Sequence, residues 1–231
     1  MNDSSFLIIG HRGAAGCAPE NTLLALERGI RQGARAVEFD VQLHPSGELF
    51  LLHDLTLDRT TNGKGLAERL PWDKLRALDA GGGQQIPTLG EALELVERQV
   101  LVNVELKTWN GTGAAVAQVL REHIADGWSP ADFLVSSFHL PELFEFKQAA
   151  PEIPIGVLTC GVPLDWAAVT TELGAQALNI SAEFVDAQLV DDAHKRGVKV
   201  YVYTVNRAED VALLQRLGVD GVFTDFPERF F

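Results

Sequence analysis

Cysteine, basic charge and long apolar runs are all scarce in this sequence. Of 231 residues only two are cysteines, Cys17 and Cys160. They lie far apart and form no CxxC pair, which excludes a thiolate metal knuckle and a dithiol redox centre. We expect both to be reduced and buried as small side chains. Lysine and arginine number 19 against 32 acidic residues, a net charge of −13. That balance excludes a nucleic-acid binder resting on phosphate contacts and electrostatic docking on an anionic membrane. The opening MNDSSFLIIG has no basic stretch, and its apolar run from Phe6 to Ile9 is too short for a signal peptide or a membrane span. A cytoplasmic protein without stable membrane association is expected. Hydrophobic residues make up 46% of the chain, enough for a substantial core. No composition shift, repeat or low-complexity tract divides it, so residues 1–231 read as a single domain.

Short β-branched runs alternate with helical patterns, the mark of a parallel α/β protein. Strands are predicted at 6–10, 36–42, 48–53, 100–106, 133–138, 154–158, 176–180, 198–204 and 220–224. Amphipathic helices are predicted at 21–32, 88–98, 113–125, 141–149, 164–173, 186–196 and 207–217. The second and third strands are joined by little more than His44-Pro45-Ser46-Gly47. A parallel crossover needs about a dozen residues, so this pair must be an antiparallel hairpin. Eight parallel strands remain, and the fold class is a single (β/α)8 barrel with a hairpin strand after its second strand. Residues 55–87 form an excursion before the second helix.

In such a barrel, function gathers at the C-terminal ends of the strands. There the chain places His11-Arg12, Glu38 and Asp40, His53-Asp54, and Asn103, Glu105 and Lys107. Alternate strand residues share a face, so Glu38 and Asp40 project together, as do Glu105 and Lys107. Taken alone, each has an ordinary explanation as a solvated or salt-bridged surface group, and Glu105 and Lys107 could simply pair. Three carboxylates buried together, however, call for a cation. With oxygen ligands only, Mg²⁺ or Ca²⁺ fits better than Zn²⁺, and Mn²⁺ could substitute. Imidazoles at His11 and His53 suit acid–base work near neutrality. Arg12 and Lys107 supply local positive charge suited to phosphate.

The motifs HRG at 11–13, PENT at 19–22, VEFDVQL at 37–43 and LLHDLTLDRTTNGKG at 51–65 resemble the glycerophosphodiester phosphodiesterase family. So do IPTLGEAL at 86–93, NVELK at 103–107, SSF at 136–138, VYTVN at 202–206 and GVDGVFTDFP at 218–227. The resemblance runs in order from about residue 6 to 228. It implies that His11 and His53 are the acid–base pair, that Glu38, Asp40 and Glu105 hold a divalent metal, and that Arg12 and Lys107 contact phosphate. The implied reaction releases sn-glycerol 3-phosphate and an alcohol such as choline, ethanolamine or glycerol from a small glycerophosphodiester. A similar barrel type in phosphatidylinositol-specific phospholipase C implies that the substrate's own 2-hydroxyl attacks, by way of a cyclic phosphate. Which histidine is the base stays open.

The chain departs from the family at Tyr203, where tryptophan is common, which bears on specificity rather than on the reaction. Trp109, just past Lys107, is expected to line the pocket with Tyr203. Glu20-Asn21-Thr22 reads as a helix cap, with a second reading of Glu20 beside the metal. Thr224-Asp225 either closes the barrel or orients a histidine. His139 lies on the functional rim or at a helix start, and His44, His123 and His194 read as surface residues. Two alternatives are a phosphodiesterase acting on lysophospholipids, which would favour a larger apolar mouth, and a non-catalytic binding barrel.

Overall fold

The structure, a computed structural model, describes residues 6–231. Residues 1–5, part of the segment read above for targeting, lie outside them. The chain runs β1 (Leu7–Gly10), α1 (Leu23–Arg31), β2 (Ala36–Leu43), β3 (Leu49–Leu51), α2 (Trp72–Arg76), α3 (Leu89–Val96) and β4 (Leu101–Leu106). It continues α4 (Thr112–Ala125), β5 (Phe133–Ser137), α5 (Leu140–Ala149), β6 (Ile155–Thr159), α6 (Ala168–Leu173) and β7 (Ala177–Ser181). It ends α7 (Ala187–Lys195), β8 (Lys199–Tyr203), α8 (Ala208–Arg216) and β9 (Gly221–Thr224). The strand order β1-β9-β8-β7-β6-β5-β4-β2, with β1 also paired to β2, closes a ring of eight parallel strands. This is a (β/α)8 barrel.

β3 is bonded outside the ring, antiparallel to β2, with Val41 opposite Leu51 and Leu43 opposite Leu49. The tight turn at Gly47, with φ of 102°, makes the hairpin possible where a side chain would be strained. Strand side chains facing the helices, such as Val37, Phe39, Val102, Val104 and Val135, join the inner faces of α3, α4, α5 and α7 in one continuous core. Each fully buried Leu or Val there contributes about 1.5–3 kcal/mol. The rigid ring fixes every residue at its C-terminal rim.

The excursion carries more structure than its sequence pattern suggested. A 3₁₀ turn at Ala67–Arg69 and the short helix α2, neither predicted, fold over a separate apolar cluster of Phe50, Leu57, Leu75 and Ile86. His44, expected at the surface, is 5% exposed: its Nε2 bonds Leu70 O at 2.9 Å, and it packs beside Trp72. A polar ring becomes buried because a carbonyl 26 residues away satisfies it. The cysteines also differ from expectation: Cys17 is half-buried and Cys160 exposed, since both sit on loops outside the core. Among the described residues no helix is long and apolar enough to cross a membrane.

Candidate active site

β2 and β4 lie side by side in register, with Glu38 opposite Asn103 and Asp40 opposite Glu105. The i, i+2 spacing puts Glu38 and Asp40 on one face, and the register sets Glu105 beside them. An oxygen from each of the three carboxylates lies within 4.8 Å of the other two. Glu38 and Asp40 are buried. Asn21, on the loop before α1, braces Asp40 from two sides: its Nδ2 donates to Oδ2 at 2.8 Å, and its Oδ1 accepts the Asp40 backbone N–H at 3.0 Å.

Two cations reach into this cluster. Lys107 Nζ lies 2.7 Å from Glu105 Oε1 and 3.6 Å from Asp40 Oδ1. Arg12 Nε lies 3.3 Å from Asp40 Oδ2, and its Nη1 donates to Glu20 Oε1 at 2.7 Å. Arg12 has φ of 49°, in the left-handed region, at a cost of about 1–3 kcal/mol. Its backbone N–H donates to Glu38 Oε2 at 2.8 Å, which helps hold that conformation. Gly13 is required next to it, because a Cβ there would lie 2.4 Å from the Ala25 carbonyl carbon of α1.

Two cations do not balance three clustered acids. Burial and the neighbouring Asp40 charge push Glu38 up to about 8 and Glu105 up to about 7. Burial acts the same way on Asp40, but Lys107, Arg12 and His53 overcome it and hold that carboxyl below its usual value. Glu38 Oε1 is buried without a hydrogen-bond partner among the described residues. An orphaned carboxylate oxygen in an all-oxygen cluster short of positive charge fits a hard divalent cation, and these three residues can hold one.

Both histidines stand at this cluster, each tied to a carboxylate. His11 Nδ1 lies 2.6 Å from Asp225 Oδ1, and His53 Nδ1 lies 2.6 Å from Asp54 Oδ1. An ionised carboxylate only accepts, so the ring proton belongs on Nδ1, and Nε2 of each ring is left without a partner among the described residues. Burial alone would lower the His11 pKa, but the Asp225 hydrogen bond and the Glu38 charge outweigh it and raise it. At His53 burial prevails over Asp40 and Asp54, and the pKa falls below 6.5.

The carboxylates behind the rings are themselves fixed. Asn206 Nδ2 donates to Asp225 Oδ2 at 2.7 Å, and its Oδ1 accepts the Asp225 N–H at 2.9 Å. Of the two readings for Thr224-Asp225, both hold, since β9 closes on β1 and Asp225 orients His11. Asp54 is gripped by Arg59 through Nε at 2.7 Å and Nη2 at 3.1 Å. The same guanidinium grips Glu20 at 2.6 and 2.8 Å. Glu20 therefore ties Arg12 to Arg59 and is not one of the clustered carboxylates, while Thr22 caps α1 by accepting the Ala25 N–H. Arg59 and Asn206 did not stand out as site residues in the sequence. The one available signal was their place inside the motifs LLHDLTLDRTTNGKG and VYTVN.

His11, Arg12, Glu38, His53 and Glu105 open onto one cavity of ≈ 270 Å³, whose far walls include Ser136, Phe138, Leu158, Tyr203 and Phe223. Tyr203 is thus a wall of this cavity, and its hydroxyl donates to Thr159 O at 2.7 Å. Trp109 is not. It is 61% exposed, stacks on His139 with ring centres 5.5 Å apart, and borders a second cavity. The chain leaves β4 at Leu106, so Trp109 is carried past the rim rather than inward. His139 caps α5, its Nδ1 accepting the Glu142 N–H.

Fold and site together define a (β/α)8-barrel protein whose polyanionic, two-histidine centre lies on the C-terminal rim. The glycerophosphoryl diester phosphodiesterase family matches residues 11–229, and the chain belongs to it. A glycerophosphodiester phosphodiesterase of Caldanaerobacter subterraneus is 36% identical over 231 residues, covering 96% of this chain and 95% of that one. One from Bacillus altitudinis is also 36% identical, with the same coverage. Among solved structures, a phosphodiesterase from Oleispira antarctica in complex with the product sn-glycerol-3-phosphate superposes with a TM-score of 0.88 at 36% identity. It covers 96% of this chain and 94% of that chain.

Proposed function

We propose that this protein hydrolyses small glycerophosphodiesters to sn-glycerol 3-phosphate and an alcohol, working in the cytoplasm as one barrel domain. The product held by the Oleispira relative supports the substrate class. The observation that carries the reading is geometric. Two imidazoles, each with Nδ1 tied to a carboxylate and Nε2 free, open onto the cavity that Glu38 and Glu105 line.

Glu38, Asp40 and Glu105 would hold one Mg²⁺ or Ca²⁺, with Mn²⁺ able to substitute. Such a cation, when bound, offsets the charge of the phosphodiester and of the transition state. The protein's own groups do the rest. Arg12 and Lys107 take the phosphoryl oxygens, their charge mattering most as negative charge builds there. One histidine removes a proton from the attacking 2-hydroxyl through Nε2 while the other delivers one to the departing alkoxide, and water then opens the cyclic phosphate to glycerol 3-phosphate with the two roles reversed. Asp225 and Asp54, accepting from Nδ1, orient Nε2 of the neutral ring as the base and stabilise the other ring as the imidazolium acid. The low-dielectric walls at Phe138, Leu158 and Phe223 strengthen these interactions by thinning out water.

Release of glycerol 3-phosphate from a water-soluble diester tests the reading. Activity should vanish with a chelator and return with Mg²⁺, Ca²⁺ or Mn²⁺. Undiminished turnover in a preparation shown to be metal-free would refute the metal assignment. Release from no diester at all would refute the reaction.

A further inference from the structure

A phosphodiester has two arms, and the site at the histidines must place both. A second cavity, ≈ 280 Å³, is built by the same three chain segments one step further on. β2 contributes Glu38 to the first cavity and Gln42 to the second, on the same face of the strand. The hairpin exit contributes His53 to the first and Leu55 to the second. β4 contributes Glu105, and the loop just after it contributes Trp109. Gln42 fastens the boundary, its Nε2 donating to Leu52 O at 2.8 Å and Asp54 O at 2.7 Å, the carbonyls on either side of His53.

The walls of that cavity have a definite chemistry. Trp109 is held by its stack on His139, which leaves an aromatic surface open to the solvent side. Leu55 and Phe50 add apolar surface. Glu68 is the one ionisable wall residue, and among the described residues it enters no ion pair. An aromatic face, apolar sides and an unpaired carboxylate match a bulky, weakly hydrated cation. Gln42, Thr108 and Asn110 also line it. Gln42 Nε2 is spent on Leu52 O and Asp54 O, and Thr108 Oγ1 on the Leu43 N–H and Thr112, so a neutral polyol meets few free partners besides Asn110.

We propose that the second cavity binds the leaving alcohol and selects a quaternary-ammonium alcohol, the choline arm lying against Trp109 with Glu68 as its counter-charge. This rests on the hydrolase reading above. The experiment compares kcat/KM for sn-glycero-3-phosphocholine with that for its neutral isostere, in which tert-butyl replaces trimethylammonium. It uses the metal-loaded wild-type enzyme, Trp109→Ala and Glu68→Gln. The wild type should prefer the cationic substrate, and each variant should cut that preference by about 3- to 30-fold, the span of one cation–π or counter-charge contact. Equal rates on the two substrates in the wild type, or a preference untouched by both substitutions, would overturn the proposal. The wild-type comparison needs no variant to fold, and both substituted side chains are exposed. A wild type that cleaves neither substrate, nor glycerophosphoglycerol, would instead point to failure of the hydrolase reading.

Discussion

His11 and His53 open onto the same cavity, yet their supports are built differently. His11 leaves β1, and its carboxylate partner Asp225 leaves the neighbouring strand β9, 214 residues away. Asn206, just past β8, completes that support, so three adjacent barrel strands hold one ring. His53 lies at the hairpin exit and leans on the next residue, Asp54, which is steadied by Arg59 from the excursion. Its side chain is 32% exposed against 19% for His11. One ring is set by the closed sheet, the other by loop-borne ion pairs. A site on rigid elements is positioned more tightly than one on loops, so the second arm is the adjustable one.

Removing either imidazole should have the largest effect, if both are proton-transfer groups. His11→Ala and His53→Ala should each lower kcat by roughly 10²- to 10⁴-fold. Calorimetric titration should find metal binding close to that of the wild type, since neither ring is among the clustered carboxylates. A variant that kept more than a tenth of the wild-type rate would remove its histidine from the chemistry and break the symmetry between the two arms.

Replacing the carboxylates behind the rings should reveal the asymmetry. Asparagine can donate as well as accept, so it permits the wrong tautomer. Asp225→Asn should cost about 10²-fold in kcat, the upper end for groups that orient a functional ligand. It also removes the charge of the acceptor that, with Glu38, raises the His11 pKa. Burial and Arg12 are then opposed by Glu38 alone, so the His11 limb of the pH–rate profile should move to lower pH. At His53 burial already dominates, and Asp40 still opposes it once Asp54 is gone. Asp54→Asn should therefore shift its limb less in the same direction, and cost roughly 10-fold. Equal shifts in the two variants would mean that the supports do not differ in kind.

What the sequence disclosed follows the same division. Ionisable residues interrupting apolar strands marked Glu38, Asp40 and Glu105, because strand periodicity and barrel topology settle which faces meet. The hairpin followed from a connection too short for any crossover. Features that depend on the excursion were hidden. Arg59 meets Glu20 across 39 residues of chain, and His44 is buried by a carbonyl from the same excursion. No period relates such residues, since their contacts depend on how a loop with its own small core settles on the rim. Trp109 lines the neighbouring cavity rather than the one at the histidines, because the chain has already left β4 at Leu106.

Arg59 gives the smallest and most selective test. Its guanidinium fills two forks at once, Asp54 behind His53 and Glu20 behind Arg12, and no other described side chain joins both. Its hydrogen bonds, helped by its charge, also hold Asp54 well below the usual carboxylate range. Arg59→Ala should lower kcat roughly 10-fold, as expected for a group acting through another. KM should rise as well, because Glu20 would then pull on Arg12 alone. Thermal stability should change little, by about 0.2–1 kcal/mol, since the side chain is 47% exposed. Arg59→Lys keeps the charge but cannot make two bidentate contacts, so it should restore the melting temperature more fully than the rate. Adding Arg59→Ala to Asp54→Asn should cost little further kcat, because both act through His53, whereas adding it to Asp225→Asn should cost nearly its full effect. Full additivity with Asp54→Asn would show that Arg59 steadies the excursion and not the histidine.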